Sequence, residues 1–160
     1  MKRERLSLKA RALAWLAQRE HSRIELRRKL LRVARAEAEP EAGCEDPAAC
    51  VDRLLDWLQA HRYLSEERFI ERRVNARAAR FGNLRIRQEL AQHGVEPDAD
   101  TLAQLRASEL ERARAVWQRK FGAPAADAAE RARQMRFLAQ RGFSTDTVRR
   151  VVQGADDDGA

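Results

Sequence analysis

The sequence predicts an all-α protein: three tandem three-helix repeats, similar to helix-turn-helix units, that form an elongated curved array. Three observations support this prediction. The 160 residues include only 7 Gly and 4 Pro, and Ala, Arg, Leu and Glu are abundant, as is typical of helices. Apolar residues recur at helical spacing, whereas no run alternates as a strand does. Finally, Leu90 to Val95 and Leu138 to Phe143 share the pattern Leu-Ala-Gln-x-Gly followed by an apolar residue.

The first repeat, residues 1–64, contains three predicted helices and an exposed acidic loop at residues 36–47. Ser22 and Glu25 have the spacing of a capping box and open the second helix. Asp46, followed directly by proline, caps the third. The buried faces of the three helices are predicted to carry Leu6, Ala10, Leu13, Ala14 and Ala17, then Leu26, Leu30 and Val33, then Val51, Leu54, Leu55 and Leu58.

The second repeat is predicted over residues 65–107 and the third over residues 108–153. Ser65 opens the second repeat, and Ser108, with Glu at the third helical position, opens the third. Because units of about 40 residues bury too little surface alone, the repeats are expected to share buried faces. The predicted buried positions are Phe69, Ile70, Val74, Ala76, Ile86, Leu90, Leu102, Leu105, Leu110, Ala113, Trp117, Phe121, Ala128, Ala132, Met135, Leu138, Val148, Val151 and Val152.

Charge is distributed unevenly along the chain, whose formal net charge is +7. Residues 1–35 hold 12 Lys and Arg against 3 Glu, whereas residues 36–50 hold five acids and no base. An acidic tail is predicted at residues 154–160. Basic helical surfaces attract nucleic acid or acidic protein grooves, and charge alone leaves both partners open. Trp15 has two interpretations, packing against the next helix or stacking on a nucleic-acid base.

The residues predict neither an enzyme nor a cofactor or metal site. His21, His61 and His93 lie at helix junctions, where an imidazole can bind exposed carbonyls, and the single glycines form no phosphate cradle. Cys44 and Cys50 lack metal-ligand spacing. With no signal peptide and no apolar run of membrane length, they indicate reduced thiols in a cytoplasmic protein that makes no membrane contact.

Five segments of the chain carry a resemblance to a known family: His21 to Leu30, Tyr63 to Phe69, Phe81 to Val95, Arg119 to Gly122 and Phe137 to Phe143. Together, over about residues 9–152, they resemble the RecX family of bacterial regulatory proteins. The resemblance implies three tandem three-helix repeats lying in the groove of the RecA nucleoprotein filament. It further implies inhibition of recombinase, ATPase and coprotease activities in DNA repair and the SOS response, by a monomer with weak non-specific affinity for single- or double-stranded DNA.

Two features depart from the family pattern. Arg62 stands where the family commonly has Gly before Tyr-Leu, so the turn is expected to be built differently. The acidic loop is also longer than in many members. Neither departure affects the basic helix faces, which supply the predicted partner-binding and DNA-binding residues: Arg28, Lys29, Arg32, Arg72, Arg73, Arg77, Arg85, Arg87, Arg119, Lys120, Arg133 and Arg136.

The alternative hypothesis is a helix-turn-helix transcriptional regulator that reads a DNA operator. Arg85, Arg87, Gln88 and Gln92 partly fit a recognition helix, but the other two repeats do not reinforce this pattern. A third hypothesis, an RNA-binding helical module, lacks exposed aromatic platforms apart from Trp15.

Overall fold

The computed structural model describes residues 5–157, and every regular element among them is an α-helix. The all-α prediction is therefore confirmed. None of the helices combines the length and apolar character that a membrane span requires. The helices are α1 (Leu8–Gln18), α2 (Arg23–Ala36), α3 (Pro47–Ala60), α4 (Glu66–Arg77), α5 (Asn83–Gln92), α6 (Ala99–Lys120), α7 (Ala128–Gln140) and α8 (Thr145–Asp157).

The chain divides into two compact units. The first contains the described residues up to Arg72 together with His93–Val95, and the second contains Arg73–Gln92 and the described residues from Glu96 onward. The predicted acidic tail, residues 154–160, overlaps the end of α8, and its last three residues lie outside the described part of the chain. Residues 1–4, at the start of the predicted first repeat, also lie outside it.

The first unit packs α1 and α3 against α2. Ser22 Oγ accepts from the Glu25 N–H at 3.1 Å, and Asp46 accepts from the Ala48 N–H at 3.1 Å, so both predicted helix starts are confirmed. The Glu25 carboxylate pairs with Arg19 instead of closing the capping box. The core of this unit contains Leu8, Ala12, Leu26, Leu30, Leu31, Val51, Leu55, Leu58 and Leu64.

The predicted buried face of α1 is wrong at three of its five positions, whereas Leu13 packs against the core as predicted. Ser7 caps this helix by accepting from the Ala10 N–H, so Leu6 precedes the helix and its side chain is 58% exposed. The buried face of α1 instead contains Leu8 and Ala12, and Leu6, which lies before the helix, is not part of it. As a result, Ala14 and Ala17 are exposed.

The acidic loop contacts the first residue of α1 and the segment before this helix. Glu41 Oε1 accepts from the Leu8 N–H at 2.6 Å, and Glu37 pairs with Arg5 at 2.9 Å. Cys44 and Cys50 are joined by a disulfide at the start of α3. The expectation of two reduced thiols is therefore wrong.

At the end of α3, Arg62 adopts a left-handed backbone conformation with φ of 62°. The Tyr63 N–H donates to the Leu58 carbonyl at 2.9 Å and the Arg62 N–H to the Gln59 carbonyl at 3.1 Å, which is a Schellman motif. The expectation of a differently built turn is wrong, because arginine here occupies the position that glycine favours. Gly94 supplies the left-handed conformation predicted for it after α5, with φ of 69°.

In the second unit, α6 runs unbroken for 22 residues through the predicted boundary at residues 107–108. The predicted helix start at Ser108 is wrong: its hydroxyl donates to the Leu105 carbonyl at 3.3 Å inside the helix. No Gly or Pro interrupts residues 99–120, so nothing in the local sequence ends the helix. Three predicted buried alanines, Ala76, Ala128 and Ala132, are exposed.

The core of the second unit lies among α6, α7 and α8 and contains Ala113, Val116, Trp117, Leu138, Phe143, Val148, Val151 and Val152. Two turns meet at its edge. The Gly82 N–H donates to the Arg141 carbonyl at 2.8 Å, and the Leu84 N–H donates to the Gly142 carbonyl at 3.0 Å. A Cβ on Gly82 would lie 2.2 Å from the Phe143 nitrogen, so only glycine permits this approach.

Candidate partner-binding surfaces

A buried carboxylate fixes the second unit around the two meeting turns. Glu109 of α6 is 7% exposed. One of its oxygens accepts from the backbone N–H of Asn83 and of Ser144, both at 3.2 Å, and the other accepts from the hydroxyls of Ser144 and Thr147, both at 3.0 Å. Glu109 therefore caps the N-termini of α5 and α8 together.

Arg112, one turn later on α6, binds the end of α4. Its guanidinium donates to the carbonyls of Ala78 at 3.0 Å and Phe81 at 2.9 Å, and also to the Asn83 side chain. Desolvation by burial lowers the pKa of Arg112. We conclude that Arg112 is a structural cation that positions the turn between α4 and α5.

Several of the predicted binding arginines are paired with other side chains of the protein. Arg77 donates to Glu89 at 2.8 Å, and Arg85 lies 3.5 Å from the same carboxylate. Both guanidinium groups also lie over the Phe81 ring, at 4.4 and 4.3 Å from its centroid. The hydrogen bond from Arg77 lowers the pKa of Glu89, so this carboxylate is charged at neutral pH. Arg73 is likewise engaged within the protein.

On α2, two of the three predicted residues are open to solvent. Arg28 and Arg32 are exposed and lie one turn apart. Neither side chain makes an ion pair or hydrogen bond among residues 5–157. Lys29 points inward, with Nζ 3.1 Å from His21 Nε2 and 4.3 Å from the centroid of the Trp15 ring. Trp15 packs against the first core, as the packing interpretation of this residue requires.

The remaining predicted cations are exposed. The side chains of Arg72, Arg87 and Arg136 make no hydrogen bond or ion pair within the described chain. Arg133 pairs with Glu130 at 3.4 Å, one turn away. Lys120 lies beside Arg119, which donates to the Ala79 carbonyl at 2.8 Å.

Four cations line one cavity of about 400 Å³ in the second unit, which we call the basic groove. The cations are Arg80, Arg119, Lys120 and Arg141, and Val116 and Phe137 contribute an apolar wall. None of the described residues that line the groove is acidic. Arg80 and Arg141 were absent from the predicted site residues, although their place after α4 and α7, beside recurring glycines, was a usable signal.

The three histidines have structural partners. His21 is buried, and its Nδ1 donates to the Arg19 carbonyl at 3.0 Å while Nε2 faces Lys29. Desolvation lowers the pKa of His21, so the imidazole is neutral. His61 Nδ1 lies 2.9 Å from the Trp57 carbonyl, and His93 Nδ1 lies 2.8 Å from Ser22 Oγ. Among the described residues, no cluster of His, Cys, Asp or Glu is arranged to hold a metal ion.

Comparisons with known proteins identify the family. Residues 65–99 match the second three-helix domain of RecX, and residues 107–152 match the third. The chain is 52% identical to the regulatory protein RecX of Ralstonia nicotianae, over 98% of this chain and 95% of the relative. It is 54% identical to RecX of Leptothrix cholodnii, over 96% of this chain and 92% of that protein.

The chain belongs to the RecX family of regulatory proteins. RecX of Neisseria meningitidis is more distant, at 38% identity over 96% of this chain and 94% of the relative. The RecX domain matches also locate the basic groove. Arg80 lies in the second three-helix domain, and the other three cations lie in the third.

Proposed function

We propose that this RecX-family protein is a non-enzymatic regulator that binds the RecA nucleoprotein filament and inhibits its recombinase, ATPase and coprotease activities. The observation that carries the proposal is identity of about one half to RecX proteins along almost the whole chain. On this proposal the protein acts as a monomer in the cytoplasm, in DNA repair and the SOS response.

The exposed cations support binding to a polyanionic filament. Arg28 and Arg32 on α2 and the cations of the basic groove lack acidic partners among the described residues, so their charge is available to DNA phosphates or acidic side chains of the recombinase. Arg77 and Arg85 contribute less to this surface because both pair with Glu89, whose single negative charge offsets part of theirs. The histidine contacts favour a binding protein over an enzyme, since each imidazole serves the fold.

The test is a titration of the protein into RecA bound to single-stranded DNA, with ATP hydrolysis as the readout. We expect hydrolysis to fall at near-stoichiometric amounts, and the protein alone to hydrolyse no ATP. A full titration that leaves hydrolysis unchanged would contradict the proposal. The Arg114→Gln/Arg149→Gln variant is a charge control, because both side chains are exposed and make no ion pair within the described chain.

The helix-turn-helix alternative has less support. An operator reader presents the first turn of its recognition helix to base edges. In α5 the first residue of this turn, Asn83, faces the protein, because its N–H donates to Glu109 and its side chain accepts from Arg112. A competition assay with specific and random duplexes separates the two functions, since an operator reader should discriminate by about 10³ or more.

A further inference from the structure

We propose that the basic groove is a binding site for single-stranded nucleic acid. In this site the four cations hold backbone phosphates, and an unpaired nucleotide lies against Val116 and Phe137. The inference rests on the proposed function, because it assigns the DNA-contacting role to one part of the basic surface. The ligand needs no recombinase to bind, so the two proposals can fail separately.

The charge of the groove is the first argument. The side chains of Arg80 and Lys120 make no hydrogen bond or ion pair within the described chain, and Lys120 Nζ lies 5.6 Å from the centroid of the Phe137 ring. Arg119 uses one N–H on the Ala79 carbonyl, which fixes its guanidinium at the groove. Four cations around one cavity, with no acid among its described lining residues, give a positive potential suited to consecutive phosphates, whereas a single carboxylate needs only one arginine.

The position of Arg141 is the second argument. Its guanidinium lies 5.1 Å from the Phe137 centroid and 5.4 Å from the Phe81 centroid. Stacking on aromatic rings orients an arginine and leaves its N–H edge for a ligand. The side chain is thereby held in place before any phosphate arrives.

The shape of the groove favours a single strand. A cavity of about 400 Å³ lies at the lower end of the range for small-molecule sites, the scale of one nucleotide. An apolar wall beside the cations can receive an unstacked base or sugar, as in sites that bind single strands. A duplex keeps its bases paired inside and presents phosphates and sugars on its own convex outer surface. Its bases therefore reach the apolar wall of the groove poorly.

The experiment measures binding of a fluorescent oligothymidine by anisotropy, without recombinase, at several salt concentrations. The Arg80→Gln/Lys120→Gln variant removes two cations whose side chains make no hydrogen bond or ion pair within the described chain. We expect its affinity to fall roughly 10- to 30-fold near 0.1 M salt, and the slope of log K against log salt to fall by about 1.4, since each phosphate contact on a single strand contributes about 0.7.

The Arg114→Gln/Arg149→Gln variant carries the same loss of charge outside the groove and should retain the wild-type affinity within about threefold, because non-specific attraction alone changes little. Equal losses in the two variants would overturn the groove as a site, as would an unchanged affinity in the groove variant. Displacement of the oligonucleotide by polyglutamate at equal charge would also overturn it, in favour of an acidic peptide. The ATPase titration is read separately: its failure removes the filament proposal and leaves the groove assay standing.

A second variant tests the cavity itself. Ala79→Glu introduces an acid at an exposed lining position without removing a core side chain. We expect at least the same loss of affinity for oligothymidine, with the thermal midpoint unchanged. Wild-type affinity in this variant would show that the ligand does not enter the groove.

Discussion

Arg62 holds a left-handed backbone conformation at the end of α3, where a side chain costs free energy. Replacing it with glycine should relieve strain of about 1–2 kcal/mol and lose about 0.4–1 kcal/mol to the added freedom of the unfolded chain. We therefore expect Arg62→Gly to stabilise the protein by about 0.5–1 kcal/mol, measured by urea denaturation. Arg62→Ala removes the same charge but keeps the Cβ, so it should give no comparable gain. A lower stability in the glycine variant would contradict the strain argument.

Glu109 concentrates four hydrogen bonds on one buried carboxylate. In Glu109→Ala the donors at the starts of α5 and α8 lose their acceptor, so we expect a loss of roughly 2–5 kcal/mol in the free energy of unfolding. Glu109→Gln keeps one acceptor oxygen and should lie between the alanine variant and the wild type. Glu111→Ala, at an exposed position on the same helix, is the control and should change stability little. Equal stability of the Ala variants at 109 and 111 would show that the capping contributes nothing.

The sequence indicates that Glu109 is buried, but it does not indicate the left-handed backbone conformation of Arg62. Glu109 stands one turn after Leu105 and one turn before Ala113, so it lies on the buried stripe of α6. An acid at such a position needs buried donors. Arg62 is different, because a non-glycine residue argues against a left-handed turn, and only the hydrogen bonds around it overcome that preference.

The contact between the α4–α5 turn and the α7–α8 turn depends on two glycines. Gly142 has φ of 86°, and an added Cβ would lie 2.7 Å from the Arg85 backbone nitrogen. Gly142→Ala should therefore destabilise the protein by roughly 2–5 kcal/mol through strain and overlap. The control is Gly154→Ala inside α8, where nothing lies within 4 Å; it should stabilise by about 0.5–1 kcal/mol. Thermal denaturation of both variants tests this difference in sign.

The ion pair between Arg77 of α4 and Glu89 of α5 makes the stability of the protein depend on pH. Because the hydrogen bond from Arg77 lowers the pKa of Glu89 in the folded state, the unfolded state binds more protons as the pH falls. The stabilisation is fully present above about pH 5 and is lost as the pH falls through the lowered pKa. We expect Glu89→Gln to cost about 1 kcal/mol at pH 7 and nothing at strongly acid pH. A pH-independent difference between the melting points of wild type and variant would contradict this origin.

Helix existence was more predictable than helix limits. Ser22 and Asp46 bind N–H groups at helix starts as their sequence contexts predict. At Ser108 the same signal fails, because a serine can return its hydroxyl to a carbonyl of the preceding turn and remain inside a helix. The surrounding residues of α6 are strong helix formers, so the local sequence does not decide between the two outcomes.

At the scale of the whole molecule, the sequence predicts that basic surfaces exist but does not say which cations are available. Arg77, Arg85 and Arg87 are close in sequence, yet Glu89 holds the first two and leaves the third exposed. The basic groove combines residues up to 62 positions apart, from Ala79 to Arg141. Helical periodicity assigns each residue a face of its own helix, and only the packing of helices brings such faces together.

The α2 face provides a test of charge on the complete protein. Arg28→Gln/Arg32→Gln removes two exposed cations from the first unit and reduces the formal net charge from +7 to +5. If this face binds a polyanionic filament, inhibition of RecA ATP hydrolysis should require about tenfold more variant than wild type. Added salt should weaken inhibition by the wild type more than inhibition by the variant, because the variant releases fewer counterions when it binds. The Arg114→Gln/Arg149→Gln variant has the same net charge and should inhibit like the wild type. Equal losses in both variants would mean that only total charge matters, and wild-type inhibition by the α2 variant would place the filament contact elsewhere.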